Sequence, residues 1–205
     1  MLGEKDIYYT IKQSSLGSIY KDKGSKFIGY AFPVSTEDEV KSFLERLKKE
    51  HYAARHWCYA WRLGVENMHY RANDDGEPSN SAGKPIYGQI LSKNLTNILV
   101  VVVRYYGGIN LGVGGLIKAY KTAAQYCLEE AIIEKKTLMV NFALRTDYAH
   151  LNLAMRFIKE HHLKVITQKL DILCEINVEV KKSESLKMEQ LLLSLPSINF
   201  TISKL

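Results

Sequence analysis

The sequence predicts an α+β chain of two domains, the second arranged as a ferredoxin-like βαββαβ unit. Three observations point there. Ile98 to Val103 is an apolar, β-branched run, too short for a globular helix, and reads as a strand covered on both faces. After five glycines in the nine residues Gly107–Gly115, the spacing turns helical, with Leu116, Ala119, Ala123, Cys127 and Ala131 on one stripe. Beyond residue 136, segments of period two and period 3.6 follow in the order strand, helix, strand, strand, helix, strand.

In the first half, strands are expected at Ile7–Lys12, Lys26–Val34, His56–Leu63 and His69–Ala72. A helix over Glu37–Glu50 starts at a capping box of Thr36 and Glu39, and a short one runs from Pro85 to Leu91. The turn near Lys135-Lys136 divides domains at 1–135 and 136–205, with no long linker. In the second half, Leu138, Val140, Phe142 and Leu144 alternate with polar residues. Asp147 can cap a helix carrying Tyr148, Leu151, Met155 and Ile158. Alternation returns at Leu163, Val165 and Thr167, and again at Cys174, Ile176, Val178 and Val180. A helix over Ser185–Leu195 ends near Pro196, and Ile198, Phe200 and Ile202 form a last strand.

At 205 residues, 46% apolar and 24% charged, the chain has the makings of an ordinary globular protein. No run approaches the roughly 18–20 apolar residues of a membrane span. Met1–Thr10 has no apolar signal core, so a cytoplasmic location is expected. Cys58, Cys127 and Cys174 stand far apart in apolar surroundings, as small core residues do; no cofactor or metal is implied. The net charge of +6 divides evenly about residue 135 and permits contact with nucleic acid or an acidic surface without demanding it.

Four segments can carry chemistry. The glycines of the loop (Gly107, Gly108, Gly112, Gly114, Gly115) allow close backbone approach, and the helix start offers free amides to a phosphate or carboxylate. Close packing alone explains such glycines equally well. A P-loop is excluded because the loop ends in Gly115-Leu116, and a dinucleotide fingerprint because Ile117 stands where glycine is needed. Asp74, Asp75 and Glu77 gather carboxylates in one turn, which can hold Mg²⁺ or serve acid–base chemistry but is more often a solvated loop. On the strand around His56-Trp57-Cys58, His56, Cys58 and Ala60 share one face; a zinc pair lacks its second half, while His56 can still bind an anion. Arg104, at the carboxyl end of the buried strand, can clamp an anion or pair internally with Asp74 or Glu77, and Tyr105 and Tyr106 can stack on bases. Lys118, off the apolar stripe of the following helix, completes the candidate anion or nucleic-acid site. No self-sufficient catalytic motif is present.

The spaced residues Ala54-x-His56-x-Cys58-x-Ala60, Asp74-Asp75-Gly76-Glu77-Pro78, Ala82-Gly83, Pro85 and Arg104-Tyr105-Tyr106-Gly107-Gly108-Ile109-x-Leu111-Gly112-x-Gly114-Gly115-Leu116-x-x-Ala119-Tyr120 resemble the IMPACT/YigZ family. The resemblance covers residues 15–130 most strongly. It implies a first domain like the second domain of ribosomal protein S5. It also implies a ferredoxin-like second domain similar to the last domain of elongation factor G. In eukaryotic members the shared domain regulates translation through a protein partner of a stress kinase; bacterial members carry no established reaction. Asn80-Ser81 replaces the family's usual Gly-Thr, but asparagine tolerates positive φ and serine keeps a hydroxyl.

The expected function is therefore a non-enzymatic, RNA- or ribosome-associated protein with a role in translation. The alternatives are an anion- or phosphate-binding enzyme, such as a hydrolase, using His56, Asp74, Asp75, Glu77 and Arg104, and a protein-docking module with a protein partner. No membrane partner is expected, and the sequence assigns no oligomeric state.

Overall fold

The computed structural model describes residues 6–15 and 17–204, with Lys204 described through its backbone only. The start of the polar N-terminal stretch, residues 1–5, lies outside the described residues. The chain divides into two compact units: Tyr8–Lys136, and the residues from Thr137 onward together with Asp6 and Ile7. Asp6 belongs to the second unit through its carboxylate, which accepts from the Ser183 amide at 2.9 Å, and its carbonyl, which accepts from Leu138 at 2.6 Å.

In the first unit the elements run β1 (Ile7–Ile11), β2 (Ser18–Asp22), β3 (Ser25–Pro33), α1 (Glu37–Glu50), β4 (His56–Leu63), β5 (His69–Asn73), α2 (Gly83–Ser92), β6 (Ile98–Tyr105), α3 (Gly112–Glu130) and β7 (Ile133–Thr137). Strands β2-β3-β6-β4-β5 form an antiparallel sheet in that order, and β1 pairs with β7 in a two-stranded ribbon. Central β6 is buried on both faces, with every residue from Ile98 to Val103 0% exposed. Val100 and Val102 join Phe27, Ala31, Cys58 and Ala60 beneath α2 and α3. Leu99, Val101 and Val103 join Ile28, Phe32, Trp61 and Leu63 beneath α1. A side chain buried fully in such a layer contributes about 1.5–3 kcal/mol.

Helix α1 occupies the range the capping box predicts. Glu39 donates its amide to Thr36 Oγ1 at 3.2 Å, and its carboxylate accepts from the Thr36 amide at 3.4 Å. Two strands were not expected, β2 and β7. Lys135-Lys136 therefore lies within a strand and not in a turn. Helix α3 also starts earlier than the stripe suggests, so that Gly112-Val113-Gly114-Gly115 is its first turn.

Close packing of α3 on the sheet depends on Gly29. A Cβ there would run into the carbonyl oxygen of Ala123 and lie 3.2 Å from the Cys127 Cβ. Gly29→Ala is expected to destabilise the unit by about 1–3 kcal/mol, read from the midpoint of a urea unfolding curve.

The second unit contains β8 (Met139–Asp147), α4 (Leu151–Glu160), β9 (Lys164–Lys169), β10 (Leu173–Lys181), α5 (Ser185–Leu193) and β11 (Asn199–Lys204). The antiparallel order β11-β8-β10-β9 is that of the ferredoxin-like fold. Ala154, Phe157 and Ile158 of α4 and Met188 and Leu192 of α5 cover one face, over Val140, Phe142, Leu144, Ile176, Val178 and Val180. Asp147 accepts from the His150 amide at 2.9 Å and caps a single 3₁₀ turn, Tyr148–His150, so α4 itself begins at Leu151. Among the described residues no helix is long and apolar enough to cross a membrane.

Candidate functional site

The carboxyl end of β6, the start of β4, the turn after β5 and the start of α3 meet around one cleft of 710 Å³. The sheet register dictates much of this. His56 and Arg104 are cross-strand partners on β4 and β6, so their side chains share a face. Arg55, His56, Glu77, Arg104, Tyr106, Gly112, Val113 and Leu116 line the cleft, with Pro78, Asn110 and Leu111.

The deepest group is an ion pair. Arg104 Nη1 donates to Glu77 Oε1 at 2.6 Å, with the two side chains 6% and 4% exposed. The same oxygen accepts from the Tyr120 hydroxyl at 2.7 Å, and His56 Nε2 lies 3.8 Å away. Arg104 Nη2 donates to Ser25 Oγ at 3.4 Å. Its guanidinium lies 5.4 Å from the Phe27 ring centroid and 5.3 Å from that of Tyr106. Of the pairings open to Arg104 in the sequence, the one with Glu77 is formed.

Asp74 and Asp75 do different work from Glu77. Asp74 Oδ1 accepts from the amides of Ala82 and Gly83 at 2.9 and 2.8 Å, and Oδ2 accepts from the Asn80 amide at 2.9 Å. It thus satisfies the start of α2, whose own N-cap residue, Ala82, has no side chain to do so. Asp75 Oδ2 accepts from the Trp57 amide at 2.7 Å, and its carbonyl contacts His56 Nδ1 at 2.8 Å. Both carboxylates are spent on backbone, and the acid–base set expected from the sequence is reduced to His56, Glu77 and Arg104. Among the described residues no group of three or more His, Cys, Asp or Glu side chains is placed to hold a metal ion. Asn80 takes φ +62°, and Ser81 Oγ donates to the Pro78 carbonyl at 2.6 Å, so the turn is made without the Gly-Thr pair.

The expected site residues separate further. Tyr105 is on the opposite face of the sheet, its hydroxyl 2.9 Å from His51 Nδ1 in the layer under α1. Neighbours on a strand point to opposite faces, so Tyr105 cannot share the cleft with Arg104. Gly107 is a packing glycine: a Cβ there would collide with the backbone of Gly24 and Ser25, and its amide donates to Ser25 Oγ at 3.2 Å. Gly115 packs on the Leu111 side chain. Lys118 is exposed on α3 and does not line the cleft. Gly108, Gly112 and Gly114 border open space, with no atom within 4 Å of a Cβ at any of them.

Helix α3 has no side-chain cap and no acidic residue in its first turn, so its leading amides keep their partial positive charge at the cleft. Tyr106 lines the cleft, as a residue able to stack on a base must; Arg55 also lines it, and adjacency to His56 was its only signal in the sequence. Cys58 and Cys127 are fully buried, and no disulfide joins them. Burial above all pushes the Cys58 thiol far up, with Glu77, Asp75 and Asp74 adding to it, and its Sγ donates to the Asp74 carbonyl at 3.0 Å. Cys127 is pushed up to about 12, again chiefly by burial. Burial likewise raises the Tyr120 phenol, which stays protonated and donates to Glu77.

This fold and cleft define a two-domain α+β protein with a glycine-rich helix start set over a buried arginine–glutamate pair. Residues 23–128 match the model of the Impact N-terminal domain. The chain is 35% identical to IMPACT family member YvyE of Bacillus subtilis over 87% of its length and 82% of that protein's. It is 38% identical to IMPACT family member YigZ of Escherichia coli, over 63% of its length and 64% of that protein's. A crystal structure described only as that of a hypothetical protein superposes with a TM-score of 0.69 at 27% identity, covering 95% of this chain and 96% of that one. The chain belongs to the IMPACT family.

Proposed function

We propose that this protein is a non-enzymatic, RNA- or ribosome-associated factor that regulates translation in the cytoplasm. The observation that carries the reading is the uncapped start of α3 opening into the same cleft as Arg55, whose guanidinium has no ion-pair partner among the described residues. Amides at a helix start together with an exposed arginine suit a backbone phosphate. The excess of basic residues over acidic ones, +6 in all, favours an anionic partner. Under this reading the Tyr8–Lys136 unit acts as a domain like the second domain of ribosomal protein S5. The ferredoxin-like unit acts as a domain similar to the last domain of elongation factor G.

Titration of structured RNA and of ribosomal particles across a salt series tests the proposal. Association that weakens linearly in log salt is expected. Arg55→Ala is expected to lower affinity for all RNAs alike and to reduce the salt slope by about one, as loss of one phosphate contact does. Absence of salt-dependent association with either partner would overturn the reading. A stable protein partner captured without RNA would favour docking instead.

A further inference from the structure

We infer that the cleft holds one unpaired nucleotide of single-stranded RNA, its base stacked on Tyr106 and its phosphate on the first amides of α3. This deepens the RNA reading above and rests on it.

Tyr106 is built as a platform. It lines the cleft and is 47% exposed. Its ring sits against the Arg104 guanidinium at 5.3 Å, and its hydroxyl donates to Asn110 Oδ1 at 3.2 Å. The ring thus packs on a cation that is itself paired with Glu77, and nearly half of the Tyr106 surface stays open to solvent. An aromatic ring already oriented loses little freedom when a base stacks on it, and every base has a π-face to offer.

The surroundings suit the rest of a nucleotide. Pro78, Val113 and Leu116 supply apolar wall, and 710 Å³ falls within the roughly 300–1,000 Å³ of small-ligand sites. Gly112, at the first position of α3, lines the cleft, and a Cβ there would meet no atom within 4 Å. Arg104, in the cleft wall, is 5% exposed, and its buried Nε has no hydrogen-bond partner among the described residues. A base in a duplex is stacked and paired, so its π-face cannot reach Tyr106; only an unpaired base can enter.

The test uses three octameric RNA probes with the full chain at a fixed salt concentration: a single strand carrying 2-aminopurine, the same strand with that base removed, and the same sequence as a duplex. The intact single strand is expected to bind about ten-fold tighter than the abasic one, with 2-aminopurine fluorescence quenched by stacking. Tyr106→Ala is expected to abolish both the quenching and the ten-fold preference, while Tyr106→Phe retains them. Circular dichroism melting checks that both variants are folded, as the exposure of Tyr106 leads one to expect. Equal binding of single strand, abasic strand and duplex overturns the nucleotide pocket and leaves RNA association standing. Binding of a phosphorylated peptide in place of any RNA overturns both.

Discussion

Glu77→Ala is expected to destabilise the Tyr8–Lys136 unit by about 3–5 kcal/mol, the usual consequence of leaving a buried charge without its partner. Arg104 would remain at 6% side-chain exposure with only a long bond to Ser25, and the Tyr120 hydroxyl would lose its acceptor. Burial holds that phenol protonated, so it cannot compensate by becoming an anion. Glu77→Gln retains an oxygen to accept from both partners and is expected to lose less than half as much. The double variant Glu77→Leu with Arg104→Leu separates charge from packing, because it removes both ions and fills the space with hydrocarbon. It is expected to recover most of the stability lost by Glu77→Ala. Chemical unfolding of the three variants is the measurement. A Glu77→Ala loss below about 1 kcal/mol would mean that the pair is solvated and that the cleft wall is not the rigid frame described above.

The second large effect belongs to Asp74. Its carboxylate accepts three backbone amides, those of Asn80, Ala82 and Gly83, and does so beside the positive end of α2. Hydrogen bonds to a charged acceptor contribute about 1.5–3 kcal/mol each and are not additive, so Asp74→Ala is expected to cost about 3 kcal/mol. Asparagine keeps one oxygen for Ala82 and Gly83 and sacrifices the bond to Asn80, and a cost of about 1 kcal/mol is expected. Because the turn also carries Glu77, Asp74→Ala is further expected to raise proteolytic cleavage within residues 74–82. Limited proteolysis followed by mass spectrometry reads this out, and an unchanged pattern would show that the turn is held by other contacts.

Those two carboxylates illustrate what the linear sequence reveals and what it hides. The cluster Asp74, Asp75, Glu77 was visible, but its division of labour was not, since backbone amides leave no mark in a string of side chains. The pairing of Arg104 with Glu77 was one of several open to it, and only the sheet register and the fold of the turn select it. Local rules served well where they are strong. Thr36 and Glu39 located the start of α1, and the β-branched run located β6. Strand β2 escaped because Ser18–Asp22 is a mixed polar edge segment with a single buried residue. Strand β7 escaped because Ile133–Thr137 carries two lysines and no buried residue. Glycines conceal the start of α3, since their helix propensity is poor and only the packing of the later turns commits them. Tyr105 and Tyr106 could have been told apart in advance. With Arg104 facing the cleft, alternation sends Tyr105 to the far side.

The double burial of β6 has a consequence for how occupancy of the cleft can be detected. Arg104 is the penultimate residue of a strand sealed under helices on both sides, so its guanidinium cannot come loose without disturbing the middle of the sheet. A molecule that seats against that guanidinium therefore braces the whole unit against unfolding, by about 2.7 kcal/mol at a hundred times its dissociation constant. Heat alone can then serve as the assay: a nucleotide, an oligomer or a bare anion that fits should retard both melting and the exchange of β6 amide hydrogens with deuterated solvent, with no turnover to follow.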